Sequence, residues 1–190
     1  MRVQQIATGL WLWTGLHPAW TPADGGPEGW EQEVSCVFYE APEAVVLVDP
    51  LVPMEDRDRF LDALDRDVER VGRPVRLLTT VDAHRRSTGE LAQRYDATIG
   101  EVPGGVEIAL DQRGERVYWI AEHRSLVFGD VVIGRGGGLQ LPRAWIGDEN
   151  YDAVVEGLHS LLRLPVERVL LSHGEPVLEE GRAALAAALS

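Results

Sequence analysis

Four short apolar runs, each breaking off in a polar turn, constrain this chain more than any other feature. Ala44 to Val48 ends in Asp49-Pro50, and Val75 to Leu78 leads into a turn holding Asp82, His84, Arg85 and Arg86. Ser125 to Phe128 ends in Gly129-Asp130, and Val166 to Leu171 ends in Ser172-His173-Gly174. Short aliphatic runs bounded in this way read as buried strands. Between them the period changes. From Glu55 to Val71 the residues Phe60, Leu61, Leu64, Val68 and Val71 share one helical stripe, with acids and arginines opposite. Tyr151, Val154, Val155, Leu158, Leu161 and Leu162 repeat the pattern from about Asn150 to Arg163, with Asp148 as a helix cap. Further helices are expected from about Ser87, through Leu91, Ala92 and Tyr95, and in the Ala-rich segment Glu179 to Leu189. Strands interleaved with amphipathic helices call for sheets covered by helices, an α/β architecture.

The remaining segments read as β-structure and loops. Val3 to Ile6 and Leu10 to Trp13 form a strand pair around Thr8-Gly9, and Val34 to Tyr39 pairs with Ala44 to Val48 across Ala41-Pro42-Glu43. Thr98 to Val102, Val106 to Leu110 and Arg116 to Ile120 are further β-prone runs. Gly15 to Gln32 is too long for a plain connector, and reads as a lid or cleft wall. Trp11, Trp13, Trp20 and Trp30 either face a ligand there or pack the loop onto the domain. Arg135-Gly136-Gly137-Gly138 lacks phosphate-loop spacing and reads as a mobile loop.

Composition removes several function classes. The chain has 190 residues, enough for one domain, and a formal charge of −13 that would repel a phosphate backbone. Every one of its 18 basic residues is Arg, so neither a Schiff-base lysine nor a P-loop is available. No apolar run approaches the roughly 20 residues of a membrane span. With no charged-then-apolar leader and a single cysteine, Cys36, the expectation is a cytoplasmic protein without an internal disulfide. The expected partner is a small-molecule substrate, with no nucleic acid and no membrane.

His84, Asp130 and His173 come from three of the polar strand ends. Two imidazoles and a carboxylate suit one Zn²⁺, Fe²⁺ or Mn²⁺ with open positions for water, which is hydrolase chemistry. A histidine after a strand is more often a hydrogen-bonded structural group, and that alternative stays open. Within the turn, Arg85 or Arg86 could grip an anionic substrate, or point outward. His17 could reach the cleft from its Trp-bearing loop as a substrate contact or acid–base group, or lie at the surface.

The order of the parts resembles the metallo-β-lactamase superfamily over nearly the whole chain: Val45-Val46-Leu47-Val48-Asp49-Pro50, a helix, Leu77-Leu78-Thr79 with its polar turn, Ser125 to Asp130, then Val169 to Gly174. The resemblance implies a four-layer αββα sandwich, two mixed β-sheets flanked by helices, with a metal site at one edge. Gly129-Asp130 and His173-Gly174 match the family's bridging aspartate and last histidine ligand. Its HxHxDH signature is degenerate, because those positions fall on Thr80, Asp82, His84 and Arg85, and no histidine lies between Asp96 and Arg116. A dinuclear zinc centre is therefore not implied. Two readings follow. In one, His84, Asp130 and His173 hold a single metal ion, with Asp82 as auxiliary ligand or base and Arg85 as electrophile or anion contact. His17, Trp20 and Arg86 then contact a small ester, thioester or lactone. In the other, Arg85 stands in place of the metal and the chain is a metal-free binding module.

Overall fold

A computed structural model describes residues 1–112 and 114–190. The first half runs β1 (Val3–Ala7), β2 (Leu10–Leu16), β3 (Glu33–Glu40), β4 (Val45–Val48), α1 (Arg57–Val71), β5 (Val75–Leu78), α2 (Thr88–Tyr95) and β6 (Thr98–Ile99). The second runs β7 (Glu107–Gln112), β8 (Glu115–Ile120), β9 (Ser125–Phe128), β10 (Ile133–Arg135), β11 (Gly138–Gln140), α3 (Arg143–Ile146), α4 (Asp148–His159), β12 (Arg168–Leu171) and α5 (Gly181–Ala188). Strands β1 to β6 lie side by side in sequence order, antiparallel through β4 and parallel from β4 to β6. The second sheet has the order β12-β9-β8-β7, with β12 and β9 parallel.

Side-chain alternation along the strands decides the layering. Val46 and Val48 of β4, Tyr118 and Ile120 of β8, Val127 of β9 and Leu170 of β12 meet in one apolar layer between the sheets. Their neighbours point the other way. Val45, Leu47, Cys36 and Phe38 pack under Phe60, Leu61 and Leu64 of α1 and Leu91 of α2. On the far side Val117, Trp119, Leu126, Phe128, Val169 and Leu171 pack against Val154 and Leu158 of α4 and Leu185 of α5. Strands apolar on both faces are what a sheet buried twice requires, and the four layers α, β, β, α expected from the sequence follow.

Two local expectations are corrected and one open alternative is decided. The strand expected over Thr98 to Val102 pairs only at Thr98 and Ile99, since the chain turns away at Gly100, whose φ is +80°. Arg135 to Gly138 forms the tip of the β10–β11 hairpin where an irregular loop was expected: Gly136 and Gly137, with φ of +63° and +80°, supply the positive dihedrals that a two-residue hairpin turn needs. Trp11 and Trp13 face the helices, Trp13 donating its indole N–H to Leu51 O at 2.8 Å and Trp11 meeting Phe38 edge-on at 5.4 Å.

Candidate metal centre

Strand β4 ends at Asp49, which is 1% exposed and holds a left-handed φ of +49°. Asp and Asn tolerate that region better than other L-residues. The carboxylate is saturated with donors. Its Oδ1 accepts from Thr80 N at 2.8 Å, and its Oδ2 from Thr80 Oγ1 at 2.6 Å, Ser172 Oγ at 2.7 Å and His84 Nδ1 at 2.9 Å. Burial opposes the charge, but His84, Arg86 and Thr80 outweigh it and hold the carboxyl below its ordinary range. Because a carboxylate only accepts, His84 must carry hydrogen on Nδ1. Its Nε2 then faces the cleft.

After β5 the chain makes a 3₁₀ turn, Asp82–Arg85, that carries His84. Ser87 anchors the exit from this turn by donating its N–H to Pro50 O and accepting from Val52 N, which fixes the turn against the end of β4. The second sheet supplies Asp130 after β9 and His173 after β12. Gly174 must be glycine, since its φ is +81° and a Cβ there would come within 1.9 Å of Gly134 O. This lets hairpin β10–β11 press on the His173 turn, with Gly134 N donating to His173 O at 2.9 Å.

The three groups converge on one point. Asp130 Oδ1 lies 3.1 Å from His84 Nε2 and 3.3 Å from His173 Nε2, and the two nitrogens are 3.4 Å apart. Neither approach to the carboxylate has hydrogen-bond alignment, so this buried oxygen has no partner. Three ligand atoms within 4.8 Å of one another, one carboxylate oxygen and the Nε2 atoms of two imidazoles, form a set that a divalent cation satisfies. Among the described residues no other such group of His, Cys, Asp or Glu occurs. For His84, burial lowers the pKa, but the neighbouring carboxylates of Asp130 and Asp49 outweigh it and push the imidazole up to about 9. Desolvation dominates at His173 and lowers it. Asp130 is also buried, yet the two imidazoles draw its carboxyl well below the carboxylate range.

Glu115, at the start of β8 and 5% exposed, holds the Asp130 turn from behind. Its carboxylate accepts three consecutive backbone N–H groups, Gly129 at 3.1 Å and Asp130 and Val131 at 3.0 Å each. Burial, then the charge of Asp130, pushes its pKa up to about 7. The sequence offered no signal for this residue beyond its being an acid beside a β-run.

A cleft of about 350 Å³ opens over the three groups, lined also by His17, Trp30, Ala83, Arg86 and Trp145. Trp30 and Trp145 each meet the His173 ring edge-on at 5.4 Å, and His17 meets Trp30 at 5.1 Å. The loop bearing Trp30 is strapped to the β10–β11 hairpin by Arg135, which donates to Pro27 O and Gly29 O, and to α3 by Trp145, which donates to Glu28 O.

His84, Asp130, His173, His17 and Arg86 are thus brought together as candidates, and three others are not. Asp82 and Arg85 sit outside the turn, 88% and 74% exposed, paired with each other at 3.0 Å. The roles expected for them as base and as electrophile or metal substitute fail on that placement, because a 3₁₀ turn sends successive residues in different directions. Trp20 donates its indole N–H to Trp30 O and lines a neighbouring cavity of about 680 Å³ instead. Trp145 and Asp49 were missed. An Asp-Pro strand end next to the His84 strand was the available signal for Asp49.

Two mixed sheets packed face to face and covered by helices on both outer sides are the metallo-β-lactamase fold, and this chain has it. A metallo-β-lactamase from Pontibacter korlensis is 17% identical, with 99% of this chain and 98% of that one covered and a TM-score of 0.56. An NDM_FIM-1-like metallo-β-lactamase from Erythrobacter litoralis in its mono-zinc form is 14% identical, covering 99% and 94%, with a TM-score of 0.63. FIM-1 from Pseudomonas aeruginosa, also in a mono-zinc form, is 13% identical over the same shares, with a TM-score of 0.60. No protein-family model matches the chain, and no curated protein matches it.

Proposed function

We propose that the protein is a hydrolase with a mononuclear site for one divalent ion, Zn, Fe or Mn, held by His84, Asp130 and His173, and that it cleaves a small ester, thioester or lactone. The observation that carries this reading is the convergence of His84 Nε2, His173 Nε2 and the orphaned Asp130 Oδ1 on one point. The lone pairs of an imidazole nitrogen and a carboxylate oxygen repel at such a distance unless a proton or a metal cation lies between them, and a single metal ion satisfies all three atoms at once. Such an ion supplies a Lewis acid that polarises an acyl carbonyl and makes water nucleophilic near neutral pH.

The chain's own residues do the rest. Asp49 fixes the tautomer and aim of His84, Glu115 fixes the turn that presents Asp130, and the rings of Trp30 and Trp145 immobilise His173. The indole walls narrow the cleft and exclude bulk water, which strengthens every charge interaction inside it. His17 is held below its usual pKa by desolvation, then by Arg86, so it stays a neutral imidazole that can both donate and accept.

Elemental analysis of protein purified without a polyhistidine tag tests the reading. Metal is expected near one equivalent, with His84→Ala and His173→Ala each abolishing retention and His159→Ala and Asp82→Asn leaving it intact. Less than about a tenth of an equivalent of Zn, Fe and Mn after supplementation refutes it. Turnover is sought on a panel of small esters, thioesters and lactones.

A further inference from the structure

Arg86 carries a charge that no carboxylate among the described residues neutralises by contact. Its Nη1 donates to Ser35 O at 3.2 Å and Asp49 O at 3.1 Å, both neutral carbonyls, and reaches Cys36 Sγ at 3.8 Å. Among the described residues it forms no ion pair with any carboxylate. Its Nε is buried without a hydrogen-bond partner, and so is His17 Nδ1. Arg86 also keeps an unfavourable backbone, φ +31° and ψ −109°, at the exit of the His84 turn. Such strain persists only where surrounding structure enforces it, and it clusters at ligand sites. A buried guanidinium N–H left unpaired costs more than an ordinary lost hydrogen bond. Surface arginines of this acidic chain find acids readily, as Arg2, Arg57, Arg70 and Arg94 do. Arg86 is instead locked by carbonyls on the wall of the cleft that holds His84, Asp130 and His173.

We infer that Arg86 and His17 form a seat for an anionic group, a carboxylate, of the ligand that enters this cleft. The guanidinium supplies the counter-charge, and His17, which lines the same cleft, a second donor. With Trp30 and Trp145 as walls, the ligand is a small acid with an apolar body, short enough for about 350 Å³. This deepens the hydrolase reading by naming the substrate class, an ester, thioester or lactone that also bears a carboxylate. The seat itself needs no metal.

The probes are phenylacetate and its neutral analogue phenylacetamide, titrated into the protein as purified and after metal removal, and followed by Trp fluorescence and by the arginine Nε–H and indole N–H resonances. Phenylacetate is expected to saturate in both forms, to shift the Arg86 Nε–H, and to bind at least about tenfold more tightly than the amide. Arg86→Gln should abolish that preference, His17→Ala should weaken it several-fold, and Arg85→Gln should leave it unchanged. Equal binding of acid and amide overturns the inference, as does carboxylate binding that survives Arg86→Gln but is lost in His173→Gln. If Arg86→Gln does not fold, the wild-type Arg86 resonance and His17→Ala still decide. A metal-free protein that binds phenylacetate at Arg86 but never takes up metal retains the seat and loses the hydrolase reading. Metal retention without acid preference does the reverse.

Discussion

Replacing Asp49 by Asn changes one oxygen to an amide and removes one charge, and the structure gives the cost. The left-handed backbone, φ +49°, accepts Asn as readily as Asp, so backbone strain is unchanged. The best placement puts the Asn carbonyl where Oδ2 was, keeping Thr80 Oγ1, Ser172 Oγ and His84 Nδ1 as donors. The new NH₂ then confronts Thr80 N–H, formerly 2.8 Å from Oδ1. One orphaned buried amide costs about 2 kcal/mol, and three charge-assisted bonds becoming neutral cost about 1 kcal/mol each. Partial relaxation leaves roughly 3–5 kcal/mol, which at a urea m-value of about 2 kcal/mol/M lowers the unfolding midpoint by roughly 2 M. Asp49 has a depressed folded pKa, so its contribution is present above the unfolded value and is lost as pH falls through the folded one. The gap between wild type and variant should therefore close below about pH 4. Metal retention should weaken by about 10–100-fold, as expected when the partner orienting a ligand imidazole is lost. Urea titrations read by Trp fluorescence measure the first effect, and the His84 Nδ1–H resonance reports the tautomer. A loss below about 1 kcal/mol, with that resonance unmoved, refutes the assignment of Asp49 as the group that orients His84.

Other expectations follow from the same contacts. Glu115 and His84 both have raised pKa values, so each contributes stability that is complete below its unfolded pKa and disappears as pH rises through its folded one, about 7 for Glu115 and about 9 for His84. Metal-free protein should thus lose stability in two phases between about pH 4.5 and 9, each on the order of 3 kcal/mol, in urea titrations across pH. Glu115→Gln should remove the lower phase and leave the upper, and its survival would show that Glu115 is not the buried acid responsible. Gly129→Ala would put a Cβ 2.4 Å from Thr80 Oγ1, which Asp49 holds in place. A destabilisation of about 2–3 kcal/mol is expected, measurable as a lowered melting temperature. An unchanged melting temperature would mean that the two turns can slide apart.

The layers of the fold were legible because strand and helix periods are local: Val45 to Val48 and Val169 to Leu171 are apolar at every position, and only a strand covered on both faces needs that. Gly129-Asp130 and His173-Gly174 were legible for the same reason, each closing such a strand. The choice between Arg85 and Arg86 was not. Adjacent arginines are equivalent in sequence, and the strained dihedrals of one residue send one guanidinium into water and the other against Ser35 and Asp49. Glu115 escaped notice because its role depends on backbone amides fourteen to sixteen residues away, which no periodicity records. The β10–β11 hairpin was misread since a glycine run signals permissive dihedrals without saying whether they are spent on motion or on a turn.

The division of the site between the sheets has a consequence for how the molecule comes apart. Asp49 and His84 follow strands of the six-stranded sheet, whereas Glu115 lies in the four-stranded one and Asp130 and His173 follow its strands. Only a few bonds stitch the seam at this edge, among them Arg116 N to Thr80 O at 2.7 Å, Ser35 N to Ser172 O at 2.9 Å and Tyr118 Oη to Thr79 O at 2.9 Å. Any ligand that bridges His84 to Asp130 and His173 is a rivet through that seam. At a thousandfold excess over its Kd it adds about 4 kcal/mol against parting of the halves. Slowed hydrogen exchange at the Ser35 and Arg116 amides, the two that donate across the seam, would count its occupancy, since the cleft cannot exist before the two sheets have met.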